Sequence, residues 1–240
     1  KSLGIKCNDL ILSKNWIKHC SSLDVIIFEI ANDFIIDNQT FNEIKTISGI
    51  SVASKSSLTI SQGSFVGLQK LCSISLKGKQ LLFNYSWLDN CPNLKAMVVE
   101  SFEKFTIAPG SFDKFDTLDT IQFISSSSLS LMEKVFDFSN VYNNSNKFKL
   151  KSVDLIANDI VIENSCFKSL KELQKVRISC HNLIIKSNCF NNCSLLNSIS
   201  FENIESITLN SCIFTGCPYL RDIVIESSSI IDIKNFCFNN

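Results

Sequence analysis

The sequence predicts a β-rich, right-handed solenoid, an α/β fold by convention, in which a short coil of chain repeats about every 25 residues. Three features of the 240 residues lead to this prediction: a recurring aromatic residue, two short apolar pairs in each unit, and a nearly constant unit length. We expect about nine to ten coils of 23–25 residues, with a parallel sheet on one face.

An aromatic residue marks each repeat unit. It usually stands five places after an apolar residue, as in Ile60 to Phe65, and four places after it where the aromatic is Trp, as in Phe83 to Trp87. The ten positions are Trp16, Phe41, Phe65, Trp87, Phe112, Phe136, Phe167, Phe190, Phe214 and Phe238.

Two apolar pairs with a spacing of two residues precede the aromatic in each unit. Examples are Ile121/Phe123 followed by Leu129/Leu131, and Val176/Ile178 followed by Leu183/Ile185. Residues i and i+2 share one face of a strand, so each pair predicts a short strand with one buried face. Such a short strand cannot bury that face alone, and stacking coils in register would line the pairs into columns. Parallel crossovers of this kind are almost always right-handed.

The pattern continues in phase through the whole chain, with one polar insertion at 139–147 before Leu150. We therefore expect a single solenoid domain over residues 1–240 with a surface loop near 139–147. The chain begins at Lys1 without an initiator Met, ends inside a unit and has no recognisable capping coil. These features predict an excerpt of a longer array.

The unit L-x-x-I-x-I resembles the signature of leucine-rich repeats, and more closely that of their BspA-like subclass. In that subclass a second short strand is followed by Phe and, three places on, by Cys. Phe190-Asn-Asn-Cys193 and Phe214-Thr-Gly-Cys217 have this turn. The sequence departs from other leucine-rich classes at the positions of their Asn ladder, which here hold Ala31, Lys79, Phe102 and His181.

The resemblance implies protein binding rather than catalysis. BspA-like arrays occur on surfaces of host-associated bacteria and in parasitic protists, where adhesion is the usual proposal, and the Asn- and Ser-rich composition is more typical of a protist. The resemblance therefore implies adhesion or host and partner binding at the cell surface or as a secreted protein. The alternative is a cytoplasmic scaffold or sensor repeat attached to a signalling or catalytic domain outside this segment.

Composition narrows the classes of partner. Lys plus Arg equals Asp plus Glu at 23 each, so the basic surface that nucleic acid needs is not expected. No apolar run approaches the length of a membrane-spanning helix. The sequence contains no Gly-rich phosphate loop, nucleophile elbow or zinc-protease motif, so we predict neither an enzyme nor a cofactor. His19 and His181 are interpreted as isolated histidines.

The eleven cysteines form no Cys-x-x-Cys pair and predict no metal site. Buried thiols are the favoured interpretation, and a disulfide ladder through Cys166 and Cys189 is the alternative, because stacking would bring these two close together. Four Asn-x-Ser/Thr sequons, at Asn38, Asn84, Asn143 and Asn192, occur at the frequency expected by chance.

The candidate binding surface is the outward side of the first strand of each unit, which is the concave face if the resemblance holds. Val98, Ile124 and Ile156 are expected to be exposed there as an apolar centre with a polar rim, an arrangement typical of a protein interface. The alternative is an ordinary sheet face with β-branched residues favoured by strand propensity. The candidate protein-binding residues are Val98, Glu100, Gln122, Ile124, Asp154, Ile156 and Arg177.

Overall fold

The computed structural model describes residues 1–13, 16–17, 19–38, 40–41, 44–83, 87–112, 117–136 and 148–239. They form two compact units: unit 1 contains residues 1–103 with 117–118, and unit 2 contains residues 104–112 with 119–239. The insertion predicted at 139–147 and the sequons at Asn84 and Asn143 lie outside the described residues, whereas Asn38 and Asn192 are exposed.

Both units consist of short strands joined by turns, and the described residues contain no helix. The strands of unit 1 are β1 (Ser2–Cys7), β2 (Val25–Ile30), β3 (Phe34–Ile36), β4 (Gly49–Ser54), β5 (Ser57–Ile60), β6 (Phe65–Val66), β7 (Ser73–Gly78), β8 (Gln80–Phe83), β9 (Leu88–Asp89) and β10 (Ala96–Ser101). The strands of unit 2 are β11 (Phe105–Ile107), β12 (Thr120–Ser125), β13 (Ser128–Leu131), β14 (Ser152–Ile156), β15 (Asp159–Ile162), β16 (Lys175–Ser179), β17 (Asn182–Ile185), β18 (Ser198–Glu202), β19 (Ile204–Leu209), β20 (Asp222–Val224) and β21 (Ser227–Ile233).

Strands of successive coils pair in parallel. In unit 1 the first strands run in the order β1-β2-β4-β7-β10, and the second strands form the sheet β3-β5-β8, with the short pair β6-β9 beyond it. In unit 2 the first strands run in the order β12-β14-β16-β18-β20 and the second strands in the order β11-β13-β15-β17-β19-β21. Most coils therefore contribute one strand to a first-strand sheet and one to a second-strand sheet, as the repeat pattern predicts.

The apolar pairs occupy the inward positions in register. Ile26 pairs with Ile50, and Ile50 with Ile74, in the first-strand sheet of unit 1. In unit 2, Leu129 pairs with Ile160, which pairs with Leu183. All of these residues are buried. The predicted register is confirmed, because a shift of one residue would turn every pair toward solvent.

The repeating aromatic residues form an internal column in each unit. In unit 1 the Phe41 and Phe65 rings stack with centroids 5.2 Å apart. In unit 2 the centroid distances along the column from Phe112 to Phe238 lie between 5.0 and 5.6 Å, and the Phe167 and Phe190 planes differ by 1°. This spacing follows from the distance of about 4.8 Å between neighbouring strands. Phe41, Phe112 and Phe190 point inward, each at most 2% exposed.

Left-handed backbone recurs on both sides of the aromatic residue. Positive φ values occur two places before the aromatic, at Gly63, Gly110, Lys134, Ser165, Asn188, Cys212 and Phe236. They also occur two places after the aromatic, at Gly67, Ser169, Asn192 and Gly216. Glycine is favoured most clearly at Gly216, where φ is +74° and an added Cβ would displace the Asn192 side chain. The aromatic thus lies in a tight corner that turns the chain back toward the next first strand.

Buried serines stabilise the turn from the first to the second strand. Ser101 Oγ donates to the carbonyl of Lys79 at 3.2 Å and accepts the backbone N–H of Glu103 at 3.3 Å. Ser54 and Ser125 likewise accept an N–H from the residue two places on. These hydroxyls bind backbone groups at the turn. They lie one residue before the positions at which other leucine-rich classes carry Asn, as Ser101 lies before Phe102.

We expect Phe190→Ala to destabilise the chain by about 3–5 kcal/mol, because it opens a cavity in the middle of the aromatic column. Chemical denaturation followed by circular dichroism measures the change. Phe236→Ala is the matched control, since that ring is 68% exposed and its loss should cost less than about 1 kcal/mol. Equal losses in the two variants would contradict an internal aromatic column.

Candidate functional site

The outward face of the first-strand sheet of unit 2 carries five of the seven candidate residues. Gln122 pairs with Asp154 and Asp154 with Arg177 on the consecutive strands β12, β14 and β16, so the three side chains lie side by side. One row further toward the carboxyl ends of the strands, Ile124 pairs with Ile156. The residues that the repeat pattern aligns are therefore neighbours across the strands of the sheet.

The polar side chains form one hydrogen-bonded network around Arg177. Its Nη1 donates to Oδ1 of Asp154 at 3.1 Å, while Nε and Nη2 donate to the two carboxylate oxygens of Glu202 at 2.8 and 2.6 Å. Gln122 Nε2 donates to Oδ2 of Asp154 at 2.7 Å. The guanidinium is thus bidentate toward Glu202 and also bound to Asp154, which holds it in one orientation.

The network shifts the pKa values of Arg177 and Glu202. The hydrogen bonds from Arg177 lower the pKa of Glu202, and the hydrogen bond to Glu202 followed by the charge of Asp154 raises the pKa of Arg177. Both groups are therefore charged at neutral pH. The network contains two carboxylates and one guanidinium, which leaves this part of the face acidic.

The apolar residues of the face are half-buried rather than exposed. Ile124 and Ile156 are partly covered, and so is Val98 on β10 of unit 1. They lie on the outward face as expected but are less exposed than expected, because side chains on neighbouring strands lie only about 5 Å apart and cover one another's flanks. Ile124 and Ile156 still contribute an apolar strip beside the Arg177 network.

Val98 and Glu100, the other two candidate residues, lie on β10 in unit 1. Glu100 forms an ion pair with Lys77 on β7, in which Nζ of Lys77 lies 2.7 Å from Oε1 of Glu100. A similar pair joins Lys6 on β1 to Glu29 on β2 at 2.8 Å. Charges on this face of unit 1 are therefore largely paired across strands, as they are around Arg177 in unit 2.

A family model described as "BspA type Leucine rich repeat region (6 copies)" matches residues 34–158 and 139–240. The two matches together cover most of the chain. The chain belongs to the BspA-type leucine-rich-repeat family. No match was found among curated proteins.

Membership of the BspA-type family confirms the leucine-rich-repeat solenoid and indicates a protein-interaction module. Leucine-rich-repeat solenoids are typically non-catalytic. Within the part of the chain that the structure describes, no helix has the length and apolar character needed to cross a membrane. The described residues also contain no group of three or more His, Cys, Asp or Glu placed to hold a metal ion, and His19 and His181 are both exposed.

The cysteines of the BspA-type turn have a structural role. The thiols of Cys91, Cys193 and Cys217 each donate to the carbonyl of the aromatic residue one coil earlier, Phe65, Phe167 and Phe190 respectively, at 3.1 Å. All eleven cysteines are free, and seven are buried. Burial raises the pKa of Cys91 to about 11 and that of Cys189 to about 12.

Sequence reasoning missed Glu202 as a member of the polar network. Glu202 is directly opposite Ser179 on the sheet and therefore diagonal to Arg177, a position that long side chains can reach. The sequence feature that could have indicated this contact is the outward-facing Arg177 on β16 together with the acidic Glu202 on the next first strand, β18. Sequence reasoning also missed the buried serines, which recur two places after the first apolar pair.

We expect Arg177→Met to destabilise the chain by about 0.5–1 kcal/mol at pH 7, because it leaves two nearby, solvent-screened carboxylates without their cation. The pKa of Glu202 is lowered in the folded state, so this contribution is present above the ordinary Glu value and is lost as the pH falls through the lowered value. Denaturation curves should therefore differ less at about pH 3 than at pH 7. Lys175→Met, on the same strand but exposed and without an ion pair among the described residues, is the control. If the stability difference between the wild type and Arg177→Met were as large at about pH 3 as at pH 7, the lost stability would come from side-chain packing rather than from the ion pairs.

We expect iodoacetamide to label the exposed Cys20 and Cys72 in the native chain, while the seven buried thiols react only after unfolding. Burial blocks access to these thiols and keeps them protonated, and the thiolate is the reactive species. Peptide mass spectrometry measures the label at each cysteine. Labelling of Cys189 as fast as Cys72 would contradict the packing, and extra labels after reduction would indicate disulfides.

Proposed function

We propose that this chain is a non-enzymatic protein-recognition module that holds its partner on the outward first-strand face of unit 2. The observation that carries the proposal is the apolar strip of Ile124 and Ile156 beside the fixed network of Gln122, Asp154 and Arg177. An apolar centre bordered by oriented polar groups is the usual anatomy of a protein interface. The BspA-type match supports the same class of function.

The charge of this face favours a partner with basic residues. Asp154 and Glu202 share one guanidinium. Glu226, further along unit 2, is exposed and has no ion pair among the described residues. A matching surface would therefore present Lys or Arg around an apolar side chain, and these charges would steer its approach.

Adhesion, or binding to a host protein, is the biological role we propose for this recognition. An intracellular scaffold or sensor is a second candidate, and the eleven free cysteines favour it, because unpaired thiols are typical of reducing compartments. Intact-mass measurement of the chain isolated from its natural source, with and without reduction before alkylation, separates the two roles. Oxidised cysteines support adhesion, and fully reduced ones support the scaffold.

The binding surface can be tested with two identical substitutions on different sheets. Ile156→Asp places a charge in the apolar strip, whereas Ile184→Asp places the same charge on the outward side of β17, in the second-strand sheet of the same unit. The wild-type chain and both variants serve as bait for affinity capture, with quantitative mass spectrometry of the retained proteins.

We expect at least one partner to be retained by the wild-type chain and the Ile184→Asp variant and to be reduced about tenfold or more by Ile156→Asp, which corresponds to about 1.4 kcal/mol. Thermal melting confirms that both variants are folded. Partners lost equally from both variants, or from neither, would place the binding surface elsewhere on the chain.

A further inference from the structure

A cleft with a volume of about 460 Å³ opens in unit 1 at the carboxyl ends of β1, β2 and β4. Lys6, Glu29, Ala53, Lys55, Lys77 and Phe102 are among the residues that line it. The volume lies within the range of binding pockets for small ligands and short peptide segments. None of these residues belongs to the face proposed above for unit 2.

The cleft is formed because small side chains at the ends of β2 and β4 lie near a large one at the end of β10. Ala31 and Ala53 leave space on its floor, while Phe102, directly after β10, stands 39% exposed and forms a wall. Ala31 and Phe102 occupy two of the places where other leucine-rich classes carry Asn. The loss of that uniform ladder thus leaves an uneven edge with an apolar recess.

Three lysines, Lys6, Lys55 and Lys77, face two carboxylates, Glu29 and Glu100, so the charge around the cleft is positive by one. Lys6 is paired with Glu29, and Lys77 is held between Glu100 and the face of the Phe102 ring, with Nζ 4.8 Å from the ring centroid. Lys55 is exposed and forms no ion pair within 4 Å with any described residue, although its charge helps to lower the pKa of Glu29. The recess therefore combines an aromatic wall, held in place by a cation–π contact, with an exposed ammonium group that shares Glu29 with Lys6.

We propose that this cleft binds an acidic segment of a partner protein. A carboxylate of that segment would lie at Lys55, and a neighbouring apolar or aromatic side chain would pack in the recess against Phe102. Lys6, Glu29 and Lys55 are all exposed along the rim, so the cleft is open on one side and suits an extended chain. The site is separate from the one on unit 2, so the two proposals can fail independently.

The test is a titration of the ¹⁵N-labelled chain with a pool of acetylated, amidated tetrapeptides in which Asp adjoins Phe, Tyr, Trp or Leu. A second pool has Asn in place of every Asp. We expect the acidic pool to shift the amide signals of Asn8, Ala31 and Ala53 in a saturable way at millimolar concentration. The neutral pool should bind about tenfold more weakly, and added salt should weaken the acidic pool.

Single substitutions test whether the peptides bind in this cleft. Lys55→Glu should weaken binding of the acidic pool about tenfold, since it replaces an attraction with a repulsion, and Phe102→Ala should weaken both pools. Lys70→Glu makes the same charge change at an exposed lysine of unit 1 outside the cleft and should change affinity less than about twofold. The proposal is overturned by unshifted cleft amides, by equal binding of the two pools, or by equal effects of Lys55→Glu and Lys70→Glu.

Discussion

Parallel backbone hydrogen bonding between successive coils is the constraint on which the rest of each unit depends. A strand of two to seven residues gains its backbone partners from the coils before and after it. Each residue must therefore fit beside the residue at the same position of the neighbouring coils. The aromatic columns follow directly, since residues repeated at the strand spacing bring their rings into contact. The left-handed residues beside these rings follow as well, because the chain has to reverse direction within a few residues to stay in register.

The same constraint explains the polar interior. Coils without helices leave carbonyl and N–H groups at their corners, and these groups need partners once they are buried. Serine hydroxyls provide them between the two strands, as at Ser101, and cysteine thiols provide them after the aromatic, as at Cys193. The BspA-type cysteine is therefore part of the hydrogen bonding of the fold. Its raised pKa is a consequence of burial.

Many charged side chains on the first-strand faces are paired across neighbouring strands. Lys6 with Glu29, Lys77 with Glu100, and Arg177 with its two carboxylates are all pairs between neighbouring strands. Such pairs orient side chains and leave few free charges, so specificity has to come from places where pairing or size breaks the pattern. The apolar strip at Ile124 and Ile156 is one such place, and the recess between Lys55 and Phe102 is another.

The spacing of two residues and the nearly constant unit length predict two strands per coil and their register, because a slip of one residue would expose every apolar pair. The same pattern puts Gln122, Asp154 and Arg177 in one row. How that row is used depends on the folded chain: Glu202 reaches Arg177 diagonally, neighbouring strands half-bury Ile124 and Ile156, and alanines beside Phe102 open a cleft. These features depend on side-chain conformations and volumes contributed by separate coils, and a one-dimensional period contains no information about either.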